Sequence, residues 1–262
     1  PAPDRGAPVT AAAVPAPRRR HRLAPLLAQA RAEVGLTLSQ GENLLVSLGL
    51  PLILLVAFTL APITPTGAGA RIQFVAPGIL ALAVMSTGMV ALSIATGFER
   101  SYGVLKRLGT TPLGRPSLVA AKICSVLAVE AVQVVVIGLV SFGLGWRPHG
   151  DPAVAVGAYL LGTVAFAGLG LLMAGTLRAE LVLGVANGLY VVLLLLGGMV
   201  FSLTVLPGGL QALARALPAA ALSTALLHTV GTGGGAPAWS WAVLGAWAVG
   251  APTAAALTFN WE

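Results

Sequence analysis

Six apolar segments, running approximately over 44–61, 74–98, 118–146, 153–177, 181–205 and 238–261, decide what this chain can become. Each is close to or longer than the roughly 18 residues that carry a helix across a bilayer. Lipid offers no hydrogen bonds to a bare backbone, so over such lengths only a helix satisfies its own N–H and C=O groups. The sequence therefore predicts an all-α integral membrane protein with six transmembrane helices. Pro51 and Pro77 fall within or near the starts of their segments and are tolerable there, because neighbouring helices satisfy the freed carbonyls. Composition agrees: 9% of residues are charged and 57% hydrophobic, whereas a soluble domain carries about 25% charged residues.

The few charges are distributed as topology signals. With the N-terminus placed inside, the inner segments hold twelve basic residues: Arg5, Arg18, Arg19, Arg20, Arg22, Arg31, Arg100, Lys106, Arg107, Arg115, Lys122 and Arg178. The outer loops hold only Arg71, Arg147 and Arg215. This positive-inside bias predicts that both termini are cytoplasmic. The net charge of +7 is spread over short inter-span segments and not gathered on one soluble face, so nucleic acid is not an expected partner. The excess of Arg over Lys, 13 to 2, and the abundance of Ala, Gly and Val suggest a bacterial source.

Three further regions have their own character. Residues 1–22, rich in Pro, Ala and Arg, read as a disordered basic tail attracted to anionic lipid heads. The run Arg18–Arg22 followed by Leu23–Leu27 is too short in its apolar part to be a signal peptide, and Pro25 interrupts it. Over 23–43, Leu23, Leu26, Leu27, Ala30, Val34 and Leu38 recur at helical spacing, which predicts an amphipathic helix lying in the membrane interface and ended by Gly41. The six-span domain then occupies 44–262. Between spans five and six, Pro207 and Pro218 punctuate two short helical stretches, Leu210–Leu217 and Ala219–Val230. These fit re-entrant half-helices that dip into the outer leaflet, or two helices on the outer surface. No internal repeat is evident, so the common inverted-repeat transporters are not indicated.

Catalytic signals are missing. The chain has no G-x-x-x-x-G-K-[ST] and no G-x-S-x-G, and His21, His149 and His228 are expected as solvated surface residues. The single cysteine, Cys124, excludes an internal disulfide and a cysteine-rich metal site. Polar residues inside the spans are the candidates. Glu130 lies twelve residues past Leu118, about 18 Å along a helix at 1.5 Å per residue and so near the bilayer midplane. Gln133 shares its face. Ionisable groups at that depth are costly. The pair either lines a substrate path or subunit seam, or forms structural hydrogen bonds to a neighbouring helix. Asn187 sits within Gly184-x-x-x-Gly188, a pattern that favours close helix packing, here expected within the chain. The longest basic interruption is 99–115. In it Ser101, Val104, Leu105 and Leu108 share one helical face, and Thr111-Pro112 stops the helix. Such a short amphipathic helix either rests on lipid phosphates or docks on a cytoplasmic partner.

The order of several stretches resembles the membrane subunit of type-2 ATP-binding-cassette (ABC) exporters, in the drug-resistance and polysaccharide-export branch. These are Phe74-x-x-Pro77-Gly78; then Glu99-Arg100-x-x-Gly103-x-Leu105-Lys106-Arg107-Leu108-x-x-Thr111-Pro112-Leu113; then Gly197-Gly198-x-x-Phe201; then Pro207, Leu210-Gln211 and Leu217-Pro218. The similarity covers roughly 23–262, although the tryptophan that the family often carries after Pro207 is absent. The resemblance implies that 99–113 is a coupling helix for a separate cytoplasmic P-loop ATPase, and that Pro207, Leu210, Gln211 and Pro218 belong to a re-entrant outer hairpin. It also implies a second permease, identical or paralogous, and an amphipathic drug, lipid or lipid-linked glycan as export substrate. Under that resemblance the chain binds no cofactor and does no chemistry itself, while ATP and Mg sit on the partner ATPase. The alternative is an ion- or proton-coupled secondary transporter using Glu130, and a third reading is a structural or sensory membrane protein.

Overall fold

A computed structural model of the chain describes residues 34–35, 41–61, 68–103 and 115–258. The expected tail 1–22 lies outside these residues, as does the amphipathic helix 23–43 apart from 34–35 and 41–43; Gly41, expected to end that helix, instead opens the next one. In chain order the elements are α1 (Gly41–Leu60), α2 (Ala68–Val84), a π-helical segment (Met85–Ala91), α3 (Leu92–Ser101), α4 (Arg115–Gly143), α5 (Pro152–Thr176) and α6 (Ala179–Leu196). A 3₁₀ turn (Leu203–Val205), α7 (Gly208–Arg215), α8 (Pro218–Leu226), a π turn (Leu227–Gly231) and α9 (Ala238–Thr258) complete it. No strand occurs among the described residues.

Five stretches are long and apolar enough to cross a membrane: Arg71–Ser101, Leu118–Gly143, Pro152–Thr176, Ala179–Leu196 and Ala238–Thr258. The first runs through α2, the π segment and α3. Helix α1 adds a shorter apolar stretch, Ser47–Leu60. The chain is thus an all-α integral membrane protein. The fifth span is shorter than the expected 181–205. Helix α6 stops at Leu196, and two residues later Gly198 takes a φ of +67°, a left-handed turn that ends helices. The two half-helices after it are bent by 85° to one another.

α5 is the hub of the packing, with its most extensive contacts against α9 and others against the π segment and α3. Between helices in lipid there is little hydrophobic driving force, so close approach of small residues carries the association. A Cβ placed on Gly170 would lie 2.7 Å from the Gly88 carbonyl oxygen and 2.8 Å from that of Met89. One on Gly168 would lie 2.5 Å from the ring of Pro252 in α9. The large buried side chains, among them Ile79, Leu82, Met85 and Phe166, fill the space around α2 and α5.

The helices collect charge at one end. Glu99 and Arg100 at the foot of α3 meet Lys122 near the start of α4 and the Leu177 carbonyl just past α5. Elsewhere in the bundle, the His149 amide donates to the Val230 carbonyl at 3.2 Å, and the Trp247 indole donates to the Ala216 carbonyl at 3.0 Å.

Gly170→Val is expected to destabilise the fold by about 2 kcal/mol through overpacking against the π segment. Gly184→Ala, where no atom lies within 4 Å of the added methyl, should stay within about 0.5 kcal/mol. Equilibrium unfolding in mixed micelles measures both.

Candidate functional site

Of the segment 99–113, Glu99, Arg100 and Gly103 are described; Leu105, Lys106, Arg107, Leu108, Thr111, Pro112 and Leu113 lie outside the described residues. The described part is the root of that segment, at the end of α3. Helix α3 ends at Ser101, and Gly103 turns the chain with a φ of +73° while its amide donates to the Arg100 carbonyl at 2.9 Å. Lys122 is 3% exposed and its ammonium donates to both oxygens of Glu99, at 2.8 and 2.7 Å. A buried cation of this kind persists only with an opposite charge beside it. Arg100 Nη2 donates to the Leu177 carbonyl. That carbonyl belongs to the C-cap residue of α5, and orphaned acceptors and the helix dipole at such an end favour a cation. Two adjacent residues therefore tie the root to α4 and to α5.

Near the middle of the bundle lies a second polar set. Glu130 and Gln133 are both fully buried inside the subunit. Thr163 of α5 donates its hydroxyl to Glu130 Oε2 and also lies 3.1 Å from the Tyr159 carbonyl. Gln133 Oε1 accepts from Thr87 of the π segment at 3.1 Å, and its Nε2 donates to the Ser47 carbonyl of α1 at 3.3 Å. Both side chains are thus engaged with neighbouring helices of the same subunit. The other oxygen of Glu130 and the Tyr159 hydroxyl are buried with no hydrogen-bond partner among the described residues, which makes this a costly patch of the core.

Asn187 is on a different surface. It is exposed, and its amide donates back to the Leu183 carbonyl at 2.8 Å. A Cβ added at Gly184 or Gly188 beside it would meet no atom of another described element within 4 Å. Among the described residues nothing packs on the small-residue stripe, whose spacing predicts a seat for a helix of the same chain; α6 turns its Val182 and Ala186 inward. Spacing defined the stripe but not its direction, since the rest of α6 is equally apolar.

The hairpin residues come together after α6. Pro207 precedes α7, Leu210 is exposed on it, and the Gln211 amide donates to the Leu203 carbonyl at 3.3 Å. Pro218 opens α8, which is buried along nearly all its length, and Ser223 of α8 donates to the Gly197 carbonyl. A short helix at membrane depth is permissible only under such protein cover. Between the hairpin, α2 and α9 lies a cavity of about 220 Å³, its walls including Phe74, Ser202, Thr204, Arg215, His228 and Trp239. His228, expected on the solvated surface, is half-buried in this wall. Sequence reasoning missed Thr163, Thr87, Arg215 and Trp239 because each acquires a role only from partners on distant helices. No group of three His, Cys, Asp or Glu residues that could hold a metal converges among the described residues.

A model of the ABC-2 type transporter family matches residues 30–230, from before α1 through the π turn that closes the hairpin. The chain belongs to the ABC-2 type transporter family. No curated protein matches it. As an ABC-2 permease it is a multi-pass transmembrane component of a transporter, and the family assigns catalysis to no residue of such a component. The root at Glu99 and Arg100, the mid-bundle cluster and the hairpin all lie inside the matched region.

Glu99→Gln in this permease leaves Lys122 buried beside a neutral group. Removing one partner of a fully buried pair costs about 3–5 kcal/mol; because Glu99 is 32% exposed, a cost of about 2 kcal/mol is expected. Glu99→Gln combined with Lys122→Met should recover most of that loss. A double-mutant cycle by unfolding in mixed micelles reads the difference.

Proposed function

We propose that this chain is the permease subunit of an ATP-driven exporter in a bacterial plasma membrane, moving an amphipathic substrate such as a drug, a lipid or a lipid-linked glycan. A separate cytoplasmic P-loop ATPase binds and hydrolyses ATP with Mg, and the segment 99–113 receives its motion. The observation that carries this reading is the root of the segment. Glu99 on Lys122 and Arg100 on the Leu177 carbonyl attach it to α4 and α5, so a push on the segment moves two membrane helices instead of bending a loose loop. The twelve-to-three excess of basic residues on the same side supports a cytoplasmic position for this end and for both termini.

A second permease, identical or paralogous, completes the path. The uncovered face of α6 around Gly184, Asn187 and Gly188 is where it would seat, since small residues permit close helix approach. In this reading Glu130 and Gln133 hold α4 to α1, the π segment and α5 and so set which way α4 moves. Complete burial of Glu130 weighs against its serving as the entry point of a proton-coupled transporter, which would need water at that carboxyl.

Arg100 is already engaged inside the subunit, so the contact charges for the ATPase are Lys106 and Arg107. Reversing both to Glu should lower the amount of ATPase that co-purifies by about tenfold or more, while the permease itself migrates as a folded, monodisperse species. Undiminished co-purification would remove this face as the docking surface.

A further inference from the structure

We propose that the cavity beneath the hairpin seats the phosphate headgroup of an anionic membrane lipid, held as a resident of the fold and not as transported cargo. The wall carries one formal cation. Arg215, the last residue of α7, places its guanidinium carbon 5.9 Å from the centroid of the Trp239 ring, within the range of a cation–π contact. No carboxylate of a described residue lies within ion-pair distance of it. A guanidinium stacked on an indole is oriented but not neutralised, and its forked N–H edge suits a phosphate.

The polar groups around it extend the match. The Ser202 and Thr204 hydroxyls are 2.9 Å apart on the same wall and are exposed. They sit on the 3₁₀ turn that Gln211 pins through the Leu203 carbonyl, so the turn holds its position against α7. His228 stands on another wall and Phe74 supplies an apolar one. Together they offer a cation, hydroxyl donors and an imidazole around one space.

Size separates a headgroup from a cargo. About 220 Å³ is below the roughly 300–1,000 Å³ of sites that enclose drug-sized ligands, so the space fits a phosphate and its glycerol and not a whole amphiphile. The acyl chains have somewhere to go: Phe201, Val205, Leu210 and Leu213 are exposed apolar side chains on the turn and on α7. Trp239 is the second residue of α9, and tryptophan and arginine at the ends of spans mark headgroup level. That the leaflet is the outer one rests on the topology proposed above; binding itself does not.

The test uses the full chain purified in a nonionic detergent and titrated calorimetrically with dioctanoyl phosphatidylglycerol, dioctanoyl phosphatidylcholine and glycerol 3-phosphate. Phosphatidylglycerol should bind, and Arg215→Gln should weaken it by about tenfold, the loss of one charge-assisted contact. Arg215→Lys should fall between the two. Because Arg215 is exposed, the variants should fold as the parent does, which their melting without added lipid verifies. Equal affinity for phosphatidylcholine, or equal binding by Arg215→Gln and the parent, overturns the proposal. Glycerol 3-phosphate binding as tightly as the whole lipid also overturns it, in favour of a site for free phosphate.

Discussion

A lysine ammonium inside an apolar bundle needs a counter-charge, and at Lys122 that requirement organises one end of the bundle. Lys122 comes from the second turn of α4 and is almost fully buried. Its counter-charge, Glu99, comes from the last turn of α3. Between the two residues in sequence lies the whole of the segment 104–114, so the ion pair joins the described residues on either side of it. Arg100, next to Glu99, reaches α5 at the Leu177 carbonyl. Energetically a buried pair is a weak contributor to net stability, because desolvation offsets most of the attraction. What it supplies is specificity of arrangement: breaking it leaves a charge in a poor environment, so the three helix ends resist separating.

From that end the same three spans run inward to the mid-bundle cluster, where Glu130 and Gln133 meet Thr163, Thr87 and the Ser47 carbonyl. The contacts lie along one face of α4, with Lys122, Val126, Val129, Glu130, Gln133 and Ile137 all turned inward. Helix α4 therefore carries both polar connections, one near its start and one halfway along. The π segment opposite is held against Gly170 at a separation that leaves no room for a Cβ. A wide turn of this kind recurs at functional positions in helices. Here it places Thr87 against Gln133 and Gly88 against α5, so α4 is linked to the hub of the packing. Further along the chain, α8 is buried along nearly all its length, whereas α7 is mostly exposed and is held through Gln211 and the buried Ala214.

Much of the architecture was legible in the sequence because the governing constraint, backbone satisfaction in lipid, acts on runs of residues and not on single contacts. The apolar runs placed four of the long helices to within a few residues, and Pro207 and Pro218 marked the starts of both half-helices. Span five was overextended because Gly197 and Gly198 read as two more small residues of an apolar run. Only the backbone reveals that Gly198 takes a left-handed turn. Direction was legible only where a helix is amphipathic. On α4 the polar residues fall on one face, so Glu130 and Gln133 could be paired, whereas α6 is apolar all round and spacing alone does not say which way its Gly184 stripe faces. Contacts between distant segments were not legible. The link from Arg100 to Leu177 spans 77 residues, and Arg215 and Trp239 meet only because the hairpin folds back on α9.

In the proposed function, the root at Glu99 and Arg100 transmits motion from the segment 99–113 into the membrane helices. Its most direct test is electron–electron spin resonance between labels at the exposed Leu139 of two permease subunits, in the reconstituted complex with its ATPase and with Cys124 replaced by Ala. Trapping the ATPase with nucleotide should shift the distance distribution in the parent. With Glu99→Gln and Arg100→Ala together, that shift should disappear while the ATPase still binds. A full nucleotide-dependent shift in the double variant would contradict the account.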